Sequence, residues 1–438
     1  MMQAYLREGM TANAVFTLFV RRLPPRRNYL LACGLDDVLS YLENVRFSDH
    51  DLQYLASLPQ FDDSFIEHLR GFRFTGDVHA VPEGTPVFPD EPILEVVAAL
   101  PEAQLVETMI LNQMHLQTML ASKAARVVAA AQGRPVLDFG LRRMHGKHAG
   151  LKAARAFRIA GVDATSNVLA GSEYAIPISG TMAHSYIQAH DSELDAFREF
   201  AALYPDATLL VDTYGTMAGV ENVIRLAREL GEAFRVRAIR LDSGDLGALA
   251  RAARSRLDES GLRQVRIVAS GGLDEFAIRD LLDRGAPIDG FGVGTAMGVS
   301  KDEPSLDMVY KLTEYGGRGR VKTSPGKQVL PGRKQVFRIE RDGVAAEDVI
   351  TRHDEESAGR ALLHPVMRDG NRMEKSVVSE RERAIAVLED ARERAARETA
   401  LLPQSLRGLD PPNHPYAVRV SGSLGRHHQA AIAAAEAS

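Results

Sequence analysis

The residues that could do chemistry in this 438-residue chain gather where short apolar runs give way to glycine and polar side chains. Two such places lie close together late in the sequence. Ile267-Val268-Ala269-Ser270-Gly271-Gly272 runs from an apolar stretch into glycine just before Leu273-Asp274-Glu275 opens a helix, and Gly290-Phe291-Gly292-Val293-Gly294-Thr295 is a second turn of the same kind. Backbone N–H groups at such turns bind phosphate in (β/α) barrels, commonly on the last two loops. Tight turns without a ligand are the competing reading, and two turns in succession favour phosphate.

Other run ends supply charge. Ile239-Arg240-Leu241-Asp242-Ser243-Gly244-Asp245 offers an arginine fork for a carboxylate or phosphate, with Asp242 able to meet sugar hydroxyls or magnesium. From spacing alone, an internal pair of Arg240 with Asp242 or Asp245 explains the same residues. Leu210-Val211-Asp212-Thr213 ends another run in a carboxylate and a hydroxyl. Asp138-Phe139-Gly140-Leu141-Arg142-Arg143 adds a carboxylate, a ring that would by default be core, and two guanidinium groups placed as a phosphate clamp or as solvated charge. His184, in Gly180-Thr181-Met182-Ala183-His184-Ser185, reads either as a half-buried hydrogen-bonded histidine or as a chemical group. His190 is six residues on and off the same helical face, so no dedicated metal cage is expected.

These positions require a scaffold that brings many strand ends to one side. Strands are expected at Val136-Leu137, Val162–Ala164, Ile176–Ile178, Thr208–Val211, Val236–Leu241, Val265–Ala269 and Ile288–Phe291, with amphipathic helices over Val220–Leu230, Leu246–Ser260 and Asp274–Arg284. That alternation predicts an α/β fold with a parallel sheet or an irregular, TIM-like (β/α) barrel, one strand short of eight. Around it, helices are expected over Gly34–Asn44, Ser48–Leu58 and Glu102–Ala131, and strands at Asp77–Val81, Ile93–Val97, Tyr310–Leu312, Gln335–Ile339 and Val344–Ile350. Met373–Thr399 reads as a charged helix and Ala430–Ser438 as a frayed end. The division expected is a barrel over 131–300 and a discontinuous α+β domain built from 1–130 and 301–438.

Composition sets outer bounds. Apolar residues make up 45% of the chain and charged residues 25%, which suits a globular protein of two or three domains. A net charge of −5 argues against nucleic acid as a partner. One cysteine, Cys33, excludes an intramolecular disulfide, and no apolar run approaches a membrane span, so a cytoplasmic protein is expected.

In order, DFGLRR, ATSNVLAG, ISGTMAHS, VDTYGT, IRLDSGDL, SGGLDE and GVGT resemble the nicotinate phosphoribosyltransferases. The likeness begins at QAYLREGM and AVFTLFVRRLP, continues through YLLACGLDDVLSYL, and reaches YKL, KTS and PGRKQVFR, covering about residues 1–340. The resemblance implies transfer of phosphoribose from 5-phosphoribosyl 1-diphosphate to nicotinate, with magnesium arriving on diphosphate or ATP. It also implies a homodimer with the site at the interface. Phe139 would stack on the pyridine, Thr181 would contact the base, and Arg240 would meet its carboxylate. Arg142, Ser270, Gly271, Gly272, Gly292, Gly294 and Thr295 would face phosphate, and Asp242 the ribose or metal. His184 matches the histidine that ATP phosphorylates in the family, and Asp212 is expected to orient it through its other ring nitrogen.

One feature of the family is missing. Its members open with a threonine–aspartate–leucine–tyrosine element whose tyrosine forms the second face of an aromatic sandwich, whereas this chain opens Met1-Met2-Gln3-Ala4-Tyr5. The expectation is a true start upstream of Met1; the alternative is a truncated member with weak or no activity. A nicotinamide- or quinolinate-using relative, and a barrel aldolase or isomerase sharing only phosphate loops, are the other readings. The last would require an essential lysine or glutamate at a strand end, and no such lysine is found.

Overall fold

The computed structural model describes residues 1–324, 329–373 and 379–437. The chain forms two compact units, Met1–Ser122 with Ser305–Ser438, and Lys123–Pro304. All the strand-end residues singled out above belong to the second.

That unit is built on a six-stranded, all-parallel sheet. Its spatial order is Ala164–Thr165, Val136–Asp138, Gly290–Val293, Arg266–Ala269, Ala238–Leu241, Thr208–Leu210. The strands are short apolar runs buried on both faces, such as Gly290–Val293, as expected where helices cover a parallel sheet. Helices Thr216–Leu230, Leu246–Glu259 and Glu275–Asp283 make the crossovers. Asp245 and Asp274 cap two of them, each accepting a hydrogen bond from a backbone N–H of the first turn. Because every strand runs the same way, all their C-terminal ends fall on one rim.

The strand expected at Ile176–Ile178 is reduced to a single bridge between Thr165 and Ile178. The reason is Pro177: its carbonyl accepts from Thr165 N at 3.0 Å, but it has no N–H to continue a ladder. The expected Val162–Ala164 strand is shifted to Ala164–Thr165.

In the first unit, N- and C-terminal segments share one antiparallel sheet. Asn13–Val20 lies between Met308–Tyr315 and Leu94–Ala99, followed outward by Asp77–Ala80 and His364–Arg368. Asn13–Val20 is buried along nearly its whole length. A four-stranded sheet pairs Lys334–Arg341 with Val344–Arg352 and adds Ala417–Val420 in parallel.

Two expected helices change extent, and a further helix forms where a frayed end was expected. The long one divides at Val106 into Leu100–Leu105 and Glu107–Ala130. The charged helix starts at Glu380, not Met373, because Ser379 and Glu382 form a reciprocal capping box there, and Asn371-Arg372 instead pairs with the strand before it. Residues 374–378 of that expected helix lie outside the described residues. The expected frayed end is a helix, Gly422–Glu436, capped by Ser421.

Candidate active site at the parallel strand ends

Sheet register brings the strand-end side chains together. Leu210 lies beside Arg240 and Leu241 beside Ala269, so Asp212 falls opposite Asp242, and Ser270 beside it. Arg240, on the strand Ala238–Leu241, and Asp242, just past its end, both meet the Ser270 hydroxyl. The Arg240 guanidinium is 15% exposed. Its Nε donates to Ser270 Oγ at 3.0 Å, one terminal nitrogen donates to Asp242 Oδ1 at 3.1 Å, and the other donates to Thr181 Oγ1. It also lies 5.8 Å from the centre of the Phe139 ring. Phe139, Thr181 and Arg240, far apart in sequence, are thus brought together as an aromatic ring, a hydroxyl and a cation.

Asp242 connects this wall to the histidine. Its Oδ1 accepts from Ser270 Oγ at 2.5 Å and its Oδ2 lies 3.8 Å from His184 Nε2. Desolvation pushes the Asp242 carboxyl up, but the Ser270 hydrogen bond, the Arg240 guanidinium and His184 outweigh it and hold the group below its ordinary value. It is therefore ionised at neutral pH.

Asp212 does not hold the other nitrogen of His184. Its Oδ2 accepts from the Asp242 backbone N–H and from Ser243 Oγ, both at 2.8 Å, which ties neighbouring strand ends together. Thr213, the next residue, takes the expected place, with Oγ1 3.1 Å from His184 Nδ1. Asp212 and Thr213 thus divide the two tasks, the carboxylate bonding the neighbouring strand end and the hydroxyl meeting the imidazole. The adjacent hydroxyl in Val211-Asp212-Thr213 was the available signal for this role.

The glycine loops carry more packing than their sequence suggested. A Cβ on Gly271 would stand 1.8 Å from the Asp242 carbonyl oxygen, and one on Gly292 would stand 2.6 Å from the Phe139 ring. Gly294 packs against the Phe139 carbonyl, at 3.1 Å from an added Cβ. These three glycines let the loops and the ring approach one another. Gly272, at φ +68°, has open space around it and lies exposed with Thr295 at the rim. The Ser270 hydroxyl accepts from Arg240 Nε and donates to Asp242 Oδ1, so it links that pair. Arg142 is exposed in the short turn Leu141–Arg143 and makes no hydrogen bond among the described residues.

Asp138 and Glu193 are further acids of this region. Burial raises the Asp138 carboxyl, partly offset by bonds from Thr165 Oγ1 at 2.7 Å and Gly140 N at 2.8 Å, and these bonds fix the turn that presents Phe139. Burial likewise raises Glu193; the bond from Asn222 opposes the shift and the charge of Asp212 adds to it. Among the described residues no group of three or more His, Cys, Asp or Glu side chains could hold a metal ion. No helix among them is long and apolar enough to cross a membrane. A cavity of about 340 Å³ in the first unit is lined by Asp36, Arg372 and Arg383, but both arginines already pair with Asp36.

Residues 1–115 match the family described as nicotinate phosphoribosyltransferase (NAPRTase) N-terminal domain, and 135–335 match the nicotinate phosphoribosyltransferase (NAPRTase) family. A nicotinate phosphoribosyltransferase of Mycobacterium tuberculosis is 53% identical over 99% of this chain and 93% of its own length. One of Bacillus subtilis is 42% identical over 84% of this chain and 77% of its own. The crystal structure of human nicotinic acid phosphoribosyltransferase superposes with a TM-score of 0.83 at 29% identity, covering 98% of each chain.

Proposed function

The chain belongs to the nicotinate phosphoribosyltransferase family and is an enzyme of phosphoribosyl transfer in NAD biosynthesis; on that premise we propose how its own residues work. The substrates are nicotinate and 5-phosphoribosyl 1-diphosphate. The pyridine stacks on Phe139 while the carboxylate takes guanidinium donors of Arg240, exchanging the present partners Thr181 and Asp242 for the substrate. A planar fork fits a carboxylate better than an amide, which favours nicotinate over nicotinamide. The single observation that carries this reading is the convergence of Phe139, Thr181 and Arg240.

The ring nitrogen of nicotinate attacks the ribosyl C1 as diphosphate leaves, through an oxocarbenium-like state in which positioning and charge do most of the work. The 5-phosphate occupies the loops Ser270–Gly272 and Gly292–Thr295, and Arg142 faces phosphate. Magnesium arrives with diphosphate or ATP; Asp242, kept ionised, is the carboxylate suited to it, and the ion offsets negative charge on the phosphates.

ATP coupling is part of the proposal. With Nδ1 of His184 engaged by Thr213, Nε2 is the nitrogen left to take a phosphoryl group. Its turnover would draw nucleotide formation towards product. We further read the open sheet as part of an irregular (β/α) barrel, the enzyme as cytoplasmic, and the assembly as a homodimer with the site at its interface. Val168, Leu169 and Ile178, left 68%, 52% and 60% exposed beside the strand ends, offer apolar surface for that contact.

The test is formation of nicotinate mononucleotide from nicotinate, 5-phosphoribosyl 1-diphosphate and magnesium, with and without ATP. Product stimulated by ATP is expected. Binding of 5-phosphoribosyl 1-diphosphate without any mononucleotide, under either condition, would overturn the reading in favour of a non-catalytic family member.

A further inference from the structure

Glu275 is the first residue of the helix Glu275–Asp283 and directly follows the Ser270–Asp274 loop, yet it is wholly buried. Two cations close on it from the helix Glu107–Ala130. Lys123 Nζ lies 2.6 Å from Oε2 and Arg126 Nε lies 3.0 Å from Oε1, with the side chains only 2% and 8% exposed. Lys123 also lies 2.7 Å from Asp302, and the Arg126 guanidinium sits 5.5 Å from the centre of the Phe276 ring. Desolvation raises the Glu275 carboxyl, but Lys123 and Arg126 overcome it and hold the group ionised.

We propose that Lys123 and Arg126, closing on Glu275, are positioning residues for the glycine loop that receives the ribosyl phosphate, a proposal that rests on the phosphate reading of that loop. At its near end the loop is held by the Ser270 N–H, which donates to the Leu241 carbonyl at 2.8 Å, and by Gly271 pressed against the Asp242 carbonyl. At its far end Asp274 caps the helix, and Glu275 is gripped on both oxygens by groups from a different helix. The exposed residue between these anchors is Gly272. A buried ion cluster contributes little net stability relative to a well-packed apolar one, but its directional bonds fix how a helix start is rotated. Here they fix where the loop's backbone can stand before a phosphate arrives. That preorganisation should appear in phosphate affinity and not in the chemical step.

Steady-state kinetics of Glu275→Gln, with ribose 5-phosphate as a competitor of 5-phosphoribosyl 1-diphosphate, test this. The KM for 5-phosphoribosyl 1-diphosphate and the inhibition constant of ribose 5-phosphate should rise together by about tenfold, with the nicotinate KM within ~2-fold and kcat within ~3-fold of the parent. Lys123→Arg should recover most of what Lys123→Met loses. Unchanged ribose 5-phosphate inhibition in Glu275→Gln overturns the proposal, as does an equal loss in both substrates' KM. If Glu275→Gln does not fold, Arg126→Gln, which leaves the Lys123 bond in place, must show the same selective rise in smaller degree, and no rise overturns the proposal. Gly272→Asp separates the two readings by placing a carboxylate at the open position of the loop. If it leaves ribose 5-phosphate inhibition intact, the phosphate reading fails and takes the clamp with it. If it weakens inhibition while Glu275→Gln does not, the clamp alone fails.

Discussion

Two arginine–aspartate pairs in this protein have the same chemistry and opposite settings. Arg338 and Asp348 face each other across an antiparallel ladder, both with side chains fully buried, joined by bonds of 3.0 and 2.6 Å. Rings close over the pair: Phe88 and Tyr416, 3.9 Å apart and stacked, lie 5.7 and 5.9 Å from the guanidinium. Arg240, on a parallel strand, and Asp242, just past its end, are 15% and 28% exposed at the rim; Arg240 also donates to the hydroxyls of Thr181 and Ser270, and Asp242 accepts from Ser270. Hydroxyl partners can be exchanged for a substrate carboxylate at modest cost, whereas a sealed pair has no route for one. Sealing turns such a pair into architecture; partial exposure leaves it free to bind.

The largest expected effect breaks the sealed pair. Asp348→Ala strands Arg338 and removes the acceptor of the Tyr416 hydroxyl, and should cost about 3 kcal/mol of stability, read from the denaturant midpoint. A loss under ~1 kcal/mol would mean that Glu398, 3.8 Å from Arg338, takes over, and that the contrast is overstated. On the open side, His184→Ala should lower ATP-stimulated turnover roughly a hundredfold while leaving ATP-independent transfer measurable. Stimulation that survives would remove His184 from the coupling step. Arg240→Lys comes next: it loses the fork, and the nicotinate KM should rise about tenfold with little change for 5-phosphoribosyl 1-diphosphate. Equal effects on both substrates reject the carboxylate assignment. Thr213→Val should weaken ATP stimulation only about threefold, since it frees the Nδ1 tautomer without removing the ring. A loss as deep as that of His184→Ala would make Thr213 a direct participant.

The smallest effect is a pH dependence of the sealed side. Glu91 is fully buried and its carboxyl is raised well above the ordinary value by desolvation and by Asp348, against the pull of Arg338. A raised folded value means that its contribution to stability is complete below the unfolded carboxyl range and is lost as pH rises through the folded value. Stability should therefore fall as pH rises from the ordinary carboxyl range towards the folded value, and Glu91→Gln should flatten that fall. An identical slope in the variant would assign the dependence to other groups.

Much of the rim was legible because local chemistry and strand period agree there. Apolar runs ending in Asp138, Asp212, Asp242 and Ser270 are parallel strands ending at one edge, and two of the helices that follow them start at Asp caps, Asp245 and Asp274. Pairings were less legible. Asp212 and Thr213 are equally near His184 in sequence terms, and only the direction of each side chain decides between them. Gly271, Gly292 and Gly294 looked like phosphate turns, but their lack of a side chain is also required by the neighbouring carbonyl and ring. Pro177 could have warned against a full strand at Ile176–Ile178, since it cannot donate to a ladder.

What the sequence determined by itself was the list of parts: alternating elements, caps, the order of the motifs and the family they mark. These are local, set by periodicity and by residue type over a few positions. Tertiary structure decided which parts touch. Register set Ser270 beside Asp242, packing placed the Phe139 ring against Gly292, and burial sealed Arg338 while leaving Arg240 open. Those outcomes depend on distances between residues tens of positions apart, for which no local pattern carries a signal.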